Sequence, residues 1–352
     1  MTQRIIYADQ IECWRTFLKN FIKVDVTFLP EYHLAYMLRY QRSEAVLWTF
    51  EKKGQFFAYP FLITPVSIEC SDGSFKKLPY YDITSIYGYT GPLSTSHDNI
   101  FLDEVWQRFD LWTQEKGVVA EFIRLSPYLE NNYLCHPQTK ILKNRKLAKS
   151  DLPDTEDELL SLLGSKTRNM LRKAKKHGLT AKELNINEDL ESFRTLYENT
   201  MQRNQAREFF LYDDDYYQKL CKLKDKELRL FGAFYESKLV AASMSLQYQD
   251  NALYHLGASE SLYNKLGAGN LVMFEMSKAL MRDGIKFVNV TGGRTTSEDD
   301  PLLRFKKSNA TDVCDFYIGQ RIVHQKKYDD IKQEWQNHSG QKIDSEKLIF
   351  YR

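Results

Sequence analysis

The sequence predicts a mixed α/β protein, of the α+β kind, organised as two halves. Three observations carry that expectation. Strand-like and helix-like segments alternate along the whole chain. Residues 228–259, LRLFGAFYESKLVAASMSLQYQDNALYHLGAS, read as three consecutive strands, followed by a glycine turn, a helix and one more strand. At 352 residues the chain is longer than one hydrophobic core usually organises. The acidic stretch SDLPDTEDELLSLL at 150–163 marks the seam, so the expected domains are 1–150 and 151–352.

Taken in order, residues 11–21 and 31–40, around Pro30, are expected as short helices or bound segments. Residues 45–66 alternate as two strands joined at a Lys-Gly turn. LPYYDITSIYGYTGPL, 78–93, is aromatic and broken by Gly and Pro, which suits a structured loop. Residues 99–117 space their apolar side chains three and four apart and end at Gly117, a helix signature. VVAEFIRLSP then runs as a strand to Pro127. Beyond the seam, which itself opens a helix with acidic residues in its first turn, SKTRNMLRKAKKHG at 165–178 is a basic helix closed by Gly178. NEDLESFRTLYENTMQRN and the stretch from Asp213 are further helices. Turns at Glu236–Lys238 and Gln249–Asn251 separate the three strands. A helix from about 270 to 282, the strand IKFVNVTG, a hairpin at 316–324 and a closing helix complete the chain. The first half repeats this rhythm in a weaker form.

Composition narrows the function. Hydrophobic residues at 43% and charged residues at 27% are ordinary for a globular protein. A net charge of +2 excludes a strongly basic nucleic-acid binder, and no DNA partner is expected, but local basic patches remain open. The five cysteines (13, 70, 135, 221, 314) include no close pair, so neither a zinc site nor a disulfide framework is expected. The N-terminal MTQRIIYADQIECW lacks the apolar core of a signal peptide, and no run of eighteen apolar residues occurs. A cytoplasmic protein without a spanning helix is the expectation, with at most a transient association with a membrane surface.

Three antiparallel strands, a glycine turn, a helix and a further strand form the core of the acyl-CoA N-acyltransferase (GNAT) fold. Its turn sets backbone N–H groups at a helix N-terminus, where they meet an anion. Asn264-Lys265-Leu266-Gly267-Ala268-Gly269 matches that fold's Arg/Gln-x-x-Gly-x-Gly/Ala loop except at its first position. Asn264, Leu266, Gly267, Ala268, Gly269 and Asn270 are therefore the candidate contacts for a coenzyme diphosphate. A plain entry loop to a packed helix competes with that reading. The second anion candidate is the basic helix, with Lys166, Arg168, Arg172, Lys173, Lys175 and Lys176. It is either a solvated face or a site for a diphosphate or an RNA backbone.

Six segments together resemble the FemAB-like family, relatives of the peptidoglycan interpeptide-bridge aminoacyltransferases. They are SKTRNMLRKAKKHG, YGYTGP at 87–92, VVAEFIRLSPYLEN at 118–131, YHLGAS at 254–259, VTGG at 290–293 and DPLLRFKKSNA at 300–310. The resemblance implies two tandem GNAT-like domains, the first for the acceptor and the second, with its glycine turn, for the donor. It implies transfer of an aminoacyl group from charged tRNA, or of an acyl group from acyl-CoA, to an amine in cell-wall or surface-polysaccharide synthesis. Two departures stand out: residues 178–228 leave no room for the long tRNA arm of some members, and FKKSNA replaces the family's Phe-Gly after Phe-Lys-Lys.

Acyl transfer to an amine needs a neutral amine, a held carbonyl and relief of the developing oxyanion. No Ser-His-Asp or Cys-His order stands out, so direct attack is expected. Lys306 follows a turn expected at Pro301–Phe305, resembles the family's functional Phe-Lys lysine and, as a cation, suits the oxyanion or a phosphate; Arg304 shares the latter role. His255 suits the amine proton and Tyr254 the leaving group, and strand alternation sends the two to opposite faces. Tyr87, Tyr89 and Gly91 are candidates to line an acceptor groove, and Arg168 to bind substrate. Asp82 and Glu121 are weaker general-base candidates. The expected co-substrate is acyl-CoA, with aminoacyl-tRNA as the alternative donor, and the acceptor an amino sugar or cell-envelope precursor. A non-catalytic binding relative is the third reading.

Overall fold

The computed structural model describes residues 1–40, 42–224, 226–344 and 347–351. Its contacts gather the chain into two units, Met1–Lys143 with Tyr317–Arg352, and Asn144–Phe316. The boundaries fall inside two strands, Lys140–Asp151 and Asp312–Ile322. The expected division at 150 differs in its last segment, because 317–352 packs with the first unit. There Tyr328, Ile331 and Trp335 of the closing helix Gln325–His338 are buried against Val66, Ile68, Val119 and Ala120. Such a long-range return leaves no local signal.

In the first unit, Thr2–Tyr7, Glu44–Lys52, Gln55–Glu69 and Phe75–Thr84 pair antiparallel in turn. Val118–Arg124 follows in parallel with Phe75–Thr84, and residues 318–322 pair antiparallel with it. The helix Asn99–Lys116 buries Phe101, Val105, Trp106 and Phe109 against this sheet. It starts at the Asp98 cap and stops where Gly117 turns left-handed, at φ 77°. A charge network also lies within this unit. Arg321 Nε donates to Glu121 Oε2 at 2.7 Å and Tyr59 Oη to Glu121 Oε1 at 2.6 Å.

In the second unit the strand order is 148–151, Phe287–Thr291, Asn251–Ser259, Lys238–Tyr248, Leu228–Tyr235 and Leu179–Leu184. Every pairing is antiparallel except that of Asn251–Ser259 with Phe287–Thr291. Glu236 (φ 54°) and Gln249 (φ 51°) take the left-handed conformation that tight hairpins require. The helix Ala268–Arg282 crosses the sheet, and its buried residues include Leu271, Val272, Met273, Phe274 and Met276. Its other flank receives the basic helix Ser165–Lys176 through Leu171 and Ala174.

Three further expectations differ. The stretch 78–93 is only partly loop, since the strand Phe75–Thr84 accommodates Pro79 and the loop begins after Thr84. The turn expected at Pro301–Phe305 is a helix, Pro301–Ser308, which Asp300 caps. The hairpin expected at 316–324 is one strand, Asp312–Ile322, running through Gly319, where a side chain would meet Thr139 at 2.9 Å.

Candidate active site

Two parallel strands of the second unit create a fork. Asn251, Ala252 and Leu253 pair with Phe287, Val288 and Asn289, and the ladder between them ends there. Just beyond it the antiparallel register on the other side of Asn251–Ser259 slips. Met244 faces Leu256 and Ser245 faces Tyr254, which leaves His255 as the extra residue of a bulge.

Tyr254 packs against the core beneath the helix Ala268–Arg282. Its ring lies under the Lys306 ammonium, 5.4 Å from centroid to Nζ. Its hydroxyl occupies the place of a side chain at Gly257, where a Cβ would come within 1.8 Å, so a larger residue there would displace Tyr254. Burial raises the Tyr254 hydroxyl to about 12 and keeps it protonated. His255 serves a different contact. Its Nε2 lies 2.5 Å from the hydroxyl of Tyr216, and burial lowers its pKa to about 3, so the ring is neutral.

Lys306 reaches the fork from the helix Pro301–Ser308. It is 7% exposed, and its Nζ donates to Thr291 Oγ1 and, at 3.0 Å, to the Gly292 carbonyl. Burial lowers its pKa to about 7, against the pull of the Asp300 carboxylate. Thr291 is the last residue of the fork strand and Gly292 follows it. Thr291 is held at φ 69°, a costly conformation for a β-branched residue, while its N–H donates to Asn289 Oδ1 at 2.9 Å.

Asp300 fixes the segment between strand and helix. Its Oδ1 accepts from the N–H groups of Leu302 and Leu303, at 2.9 and 3.1 Å. Its Oδ2 accepts from the N–H groups of Arg294 and Thr295, both at 3.0 Å, and from Thr295 Oγ1 at 3.1 Å. Burial alone would raise this carboxyl, but these bonds outweigh it and the pKa falls below the usual carboxylate value. Sequence reasoning passed over Asp300, although Asp-Pro at the start of an apolar-spaced run is a helix-start signal. It also passed over Thr291 and Asn289, whose roles come from backbone geometry.

Two buried polar groups near the fork have no partner among the described residues, Asn289 Nδ2 and Ser245 Oγ. With the cation of Lys306 and the hydroxyl of Tyr254, the fork holds donors suited to a developing negative charge. A lysine near neutrality also suits proton transfer. Among the described residues there is no group of three or more His, Cys, Asp or Glu side chains able to hold a metal.

The glycine turn is packed by protein. A side chain at Gly267 (φ 92°) would come within 2.6 Å of the Met170 carbonyl, and one at Gly269 within 3.2 Å of the Phe305 ring. Ala268 and Asn270 are buried, and Asn270 Nδ2 donates to Asn309 Oδ1 at 2.8 Å. Leu266 is half-buried against the core and Asn264 is exposed without a charge to offer. Space on the Cβ side of both glycines is taken by Met170 and Phe305, and Asn264 brings no charge to a coenzyme diphosphate.

The remaining candidates lie elsewhere. Arg168 Nη1 donates to the Leu163 carbonyl at the end of the helix Glu156–Leu162. Arg304 is exposed on the helix Pro301–Ser308. Tyr87, Tyr89 and Gly91 belong to the first unit. There the Tyr87 carbonyl accepts from Tyr32 Oη at 2.7 Å, and the Tyr89 carbonyl from Thr27 Oγ1. A side chain at Gly91 (φ 105°) would meet Asn131 at 2.8 Å. Tyr87 is 37% exposed. Glu121 is bound to Arg321, with side-chain exposures of 0% and 1%.

A family model described as an acetyltransferase (GNAT) domain matches residues 165–307. Over these residues the chain is similar to that family. The match opens with the basic helix and closes one residue beyond Lys306. Among solved structures, the chain is similar to FemX, at 15% identity and a TM-score of 0.70, over 95% of this chain and 100% of that one. It is also similar to the C-terminal domain of a putative lysylphosphatidylglycerol synthetase from Agrobacterium fabrum, at 14% identity and 0.55, over 89% and 92%. L-PGS from Bacillus licheniformis gives 12% identity and 0.53, over 88% and 90%. No curated protein matches the sequence. Over 165–307 the chain is thus similar to the GNAT acetyltransferase family, and its fold is like that of FemX. No helix among the described residues is long and apolar enough to cross a membrane.

Proposed function

We propose that the protein transfers an aminoacyl group from charged tRNA to the amine of a cell-envelope precursor, an amino sugar or a peptide borne on one. The observation that carries this reading is the polar fork around Lys306, set beside a glycine turn whose first residue, Asn264, brings no charge. The fork suits carbonyl chemistry, while the uncharged Asn264 at the head of the turn disfavours the acyl-CoA donor first expected. One likeness carries the name of a putative lysylphosphatidylglycerol synthetase and another is FemX, which suits an aminoacyl donor. Both units run from antiparallel strands through a helix to a parallel strand, which supports reading them as tandem GNAT-like domains.

In this reading the acceptor nitrogen attacks the ester carbonyl of the donor. The C–N bond forms as the carbonyl electron pair moves onto oxygen, where the Lys306 ammonium meets it. The intermediate then collapses, the C–O bond to the ribose breaks, and the leaving oxygen takes a proton. Tyr254, protonated and beside Lys306, is the group we assign to that last transfer, and the proton that the attacking nitrogen sheds restores its hydroxyl. His255 holds its bulge through Tyr216 and takes no proton from the amine. In the first unit, exposed Tyr87 is the residue we propose for acceptor binding, while Tyr89 and Gly91 shape its loop.

Calorimetric titration tests the choice of donor. Saturable binding of charged tRNA with no binding of acetyl-CoA is expected. Saturable acetyl-CoA binding without tRNA binding would return the reading to acyl-CoA.

A further inference from the structure

Helix Ser165–Lys176 is divided cleanly between packing and charge. Thr167, Leu171 and Ala174 are buried, and Thr167 Oγ1 donates to the Ser308 carbonyl. Lys166, Arg172, Lys173, Lys175 and Lys176 are all exposed. At 100° per residue, Lys166, Asn169, Arg172, Lys173 and Lys176 share the half-turn opposite the buried residues, with Lys175 at its edge. The helix contains no acidic residue.

None of the five cations forms an ion pair among the described residues, whereas Arg194, Arg229 and Lys278 of the same unit each do. Basic residues in the last turn complement the helix dipole, which accounts for Lys173, Lys175 and Lys176. It accounts for neither Lys166 in the first turn nor Arg172. Like charges three and four residues apart, such as Arg172 with Lys176 and Lys173 with Lys176, repel.

We infer that this face is a docking surface for the sugar-phosphate backbone of an RNA, the donor tRNA of the proposed reaction, on which the inference rests. Charge complementarity carries it: five unpaired cations on about 16 Å of helix match the close spacing of backbone phosphates. The buried apolar residues of the helix, Leu171 and Ala174, are spent on the core, which leaves half-buried Met170 as its one other apolar side chain, too little to insert into a lipid surface. Arg168 stands apart, engaged with the Leu163 carbonyl.

The test uses the full chain, bulk uncharged tRNA and the variant K166Q/R172Q/K173Q/K175Q/K176Q, whose circular dichroism and melting should match wild type because all five side chains are exposed. Binding is followed from about 50 to 200 mM salt, a range over which several phosphate contacts weaken affinity by orders of magnitude. The expected result is at least a tenfold loss of affinity in the variant and a shallower dependence on log salt, by about 0.7–0.9 for each contact removed. Wild-type tRNA binding and aminoacyl transfer that the variant retains in full would overturn this inference alone. Absence of tRNA binding by wild type would overturn it together with the proposed donor. Loss of binding to phosphatidylglycerol vesicles, with tRNA binding unchanged, would assign the face to lipid and overturn it as well.

Discussion

The ammonium of Lys306 sits 5.4 Å from the centre of the Tyr254 ring, where a helix that follows one strand of the fork meets the bulge of the other. The contact joins residues 52 positions apart, and it holds a cation inside the second unit with no carboxylate of the described residues touching it. Asp300 acts on it only at a distance, through charge.

Burial of Lys306 makes stability depend on pH. The unfolded chain keeps this proton up to its ordinary value of 10.5, but the folded protein only up to about 7. Between these values the unfolded state binds more protons, so stability rises with pH across that window. Lys306→Met removes the dependence. Denaturant titrations should find the variant more stable than wild type below pH 7, by on the order of a few kcal/mol, with the gap closing toward pH 10. The same variant should lose transfer activity by about a hundredfold or more.

Thr291 separates strain from function. Thr291→Gly relieves the positive φ and Thr291→Ala keeps it, while both delete the hydroxyl that accepts from Lys306. Thr291→Gly should be the more stable of the two by about 1 kcal/mol in urea unfolding. Both should lower kcat, with KM nearly unchanged, because the hydroxyl orients Lys306 and does not hold substrate.

The two glycines of the turn should respond unequally to a methyl group. Gly267→Ala places a Cβ 2.6 Å from a backbone carbonyl at a positive φ, and should cost about 2 kcal/mol or more. Gly269→Ala meets only the edge of a ring at 3.2 Å and should cost about 1 kcal/mol or less. Thermal melts of the two variants check the order. Equal and negligible losses would mean that the turn is open rather than packed.

His255 should leave its mark on stability. Its pKa is about 3 in the folded protein and 6.5 ordinarily, so the unfolded state binds more protons between these values. Its contribution is therefore full above pH 6.5 and is lost as pH falls toward 3. His255→Gln should flatten the acid limb of the stability profile, and Tyr216→Phe should cost about 1 kcal/mol. A kcat that falls more than a hundredfold in His255→Gln, with folding intact, would return this histidine to the reaction.

The sequence showed most where the signals are local. The three strands over 228–259, the helix after the glycine turn and the basic helix 165–178 all lie where apolar spacing and turn residues put them. Lys306 and Tyr254 were legible as candidates, and the structure brings those two together. Their separation from His255 depends on a one-residue bulge, which alternation cannot reveal. The strands Thr2–Tyr7, Lys140–Asp151 and Leu179–Leu184 were missed because they are short or rich in charge, and partners distant in sequence hold them. Thr291 left no trace, since positive φ on a β-branched residue is imposed by its surroundings.

The most direct measurement is a single-turnover transfer assay with two labelled donors, a charged tRNA pool and acetyl-CoA, offered with nucleotide-linked and lipid-linked amino sugars from bacterial envelope extracts. Wild type should form aminoacyl product from the tRNA pool and none from acetyl-CoA, and Lys306→Met should form neither. Acetyl transfer by wild type, or aminoacyl transfer undiminished in Lys306→Met, would contradict the account.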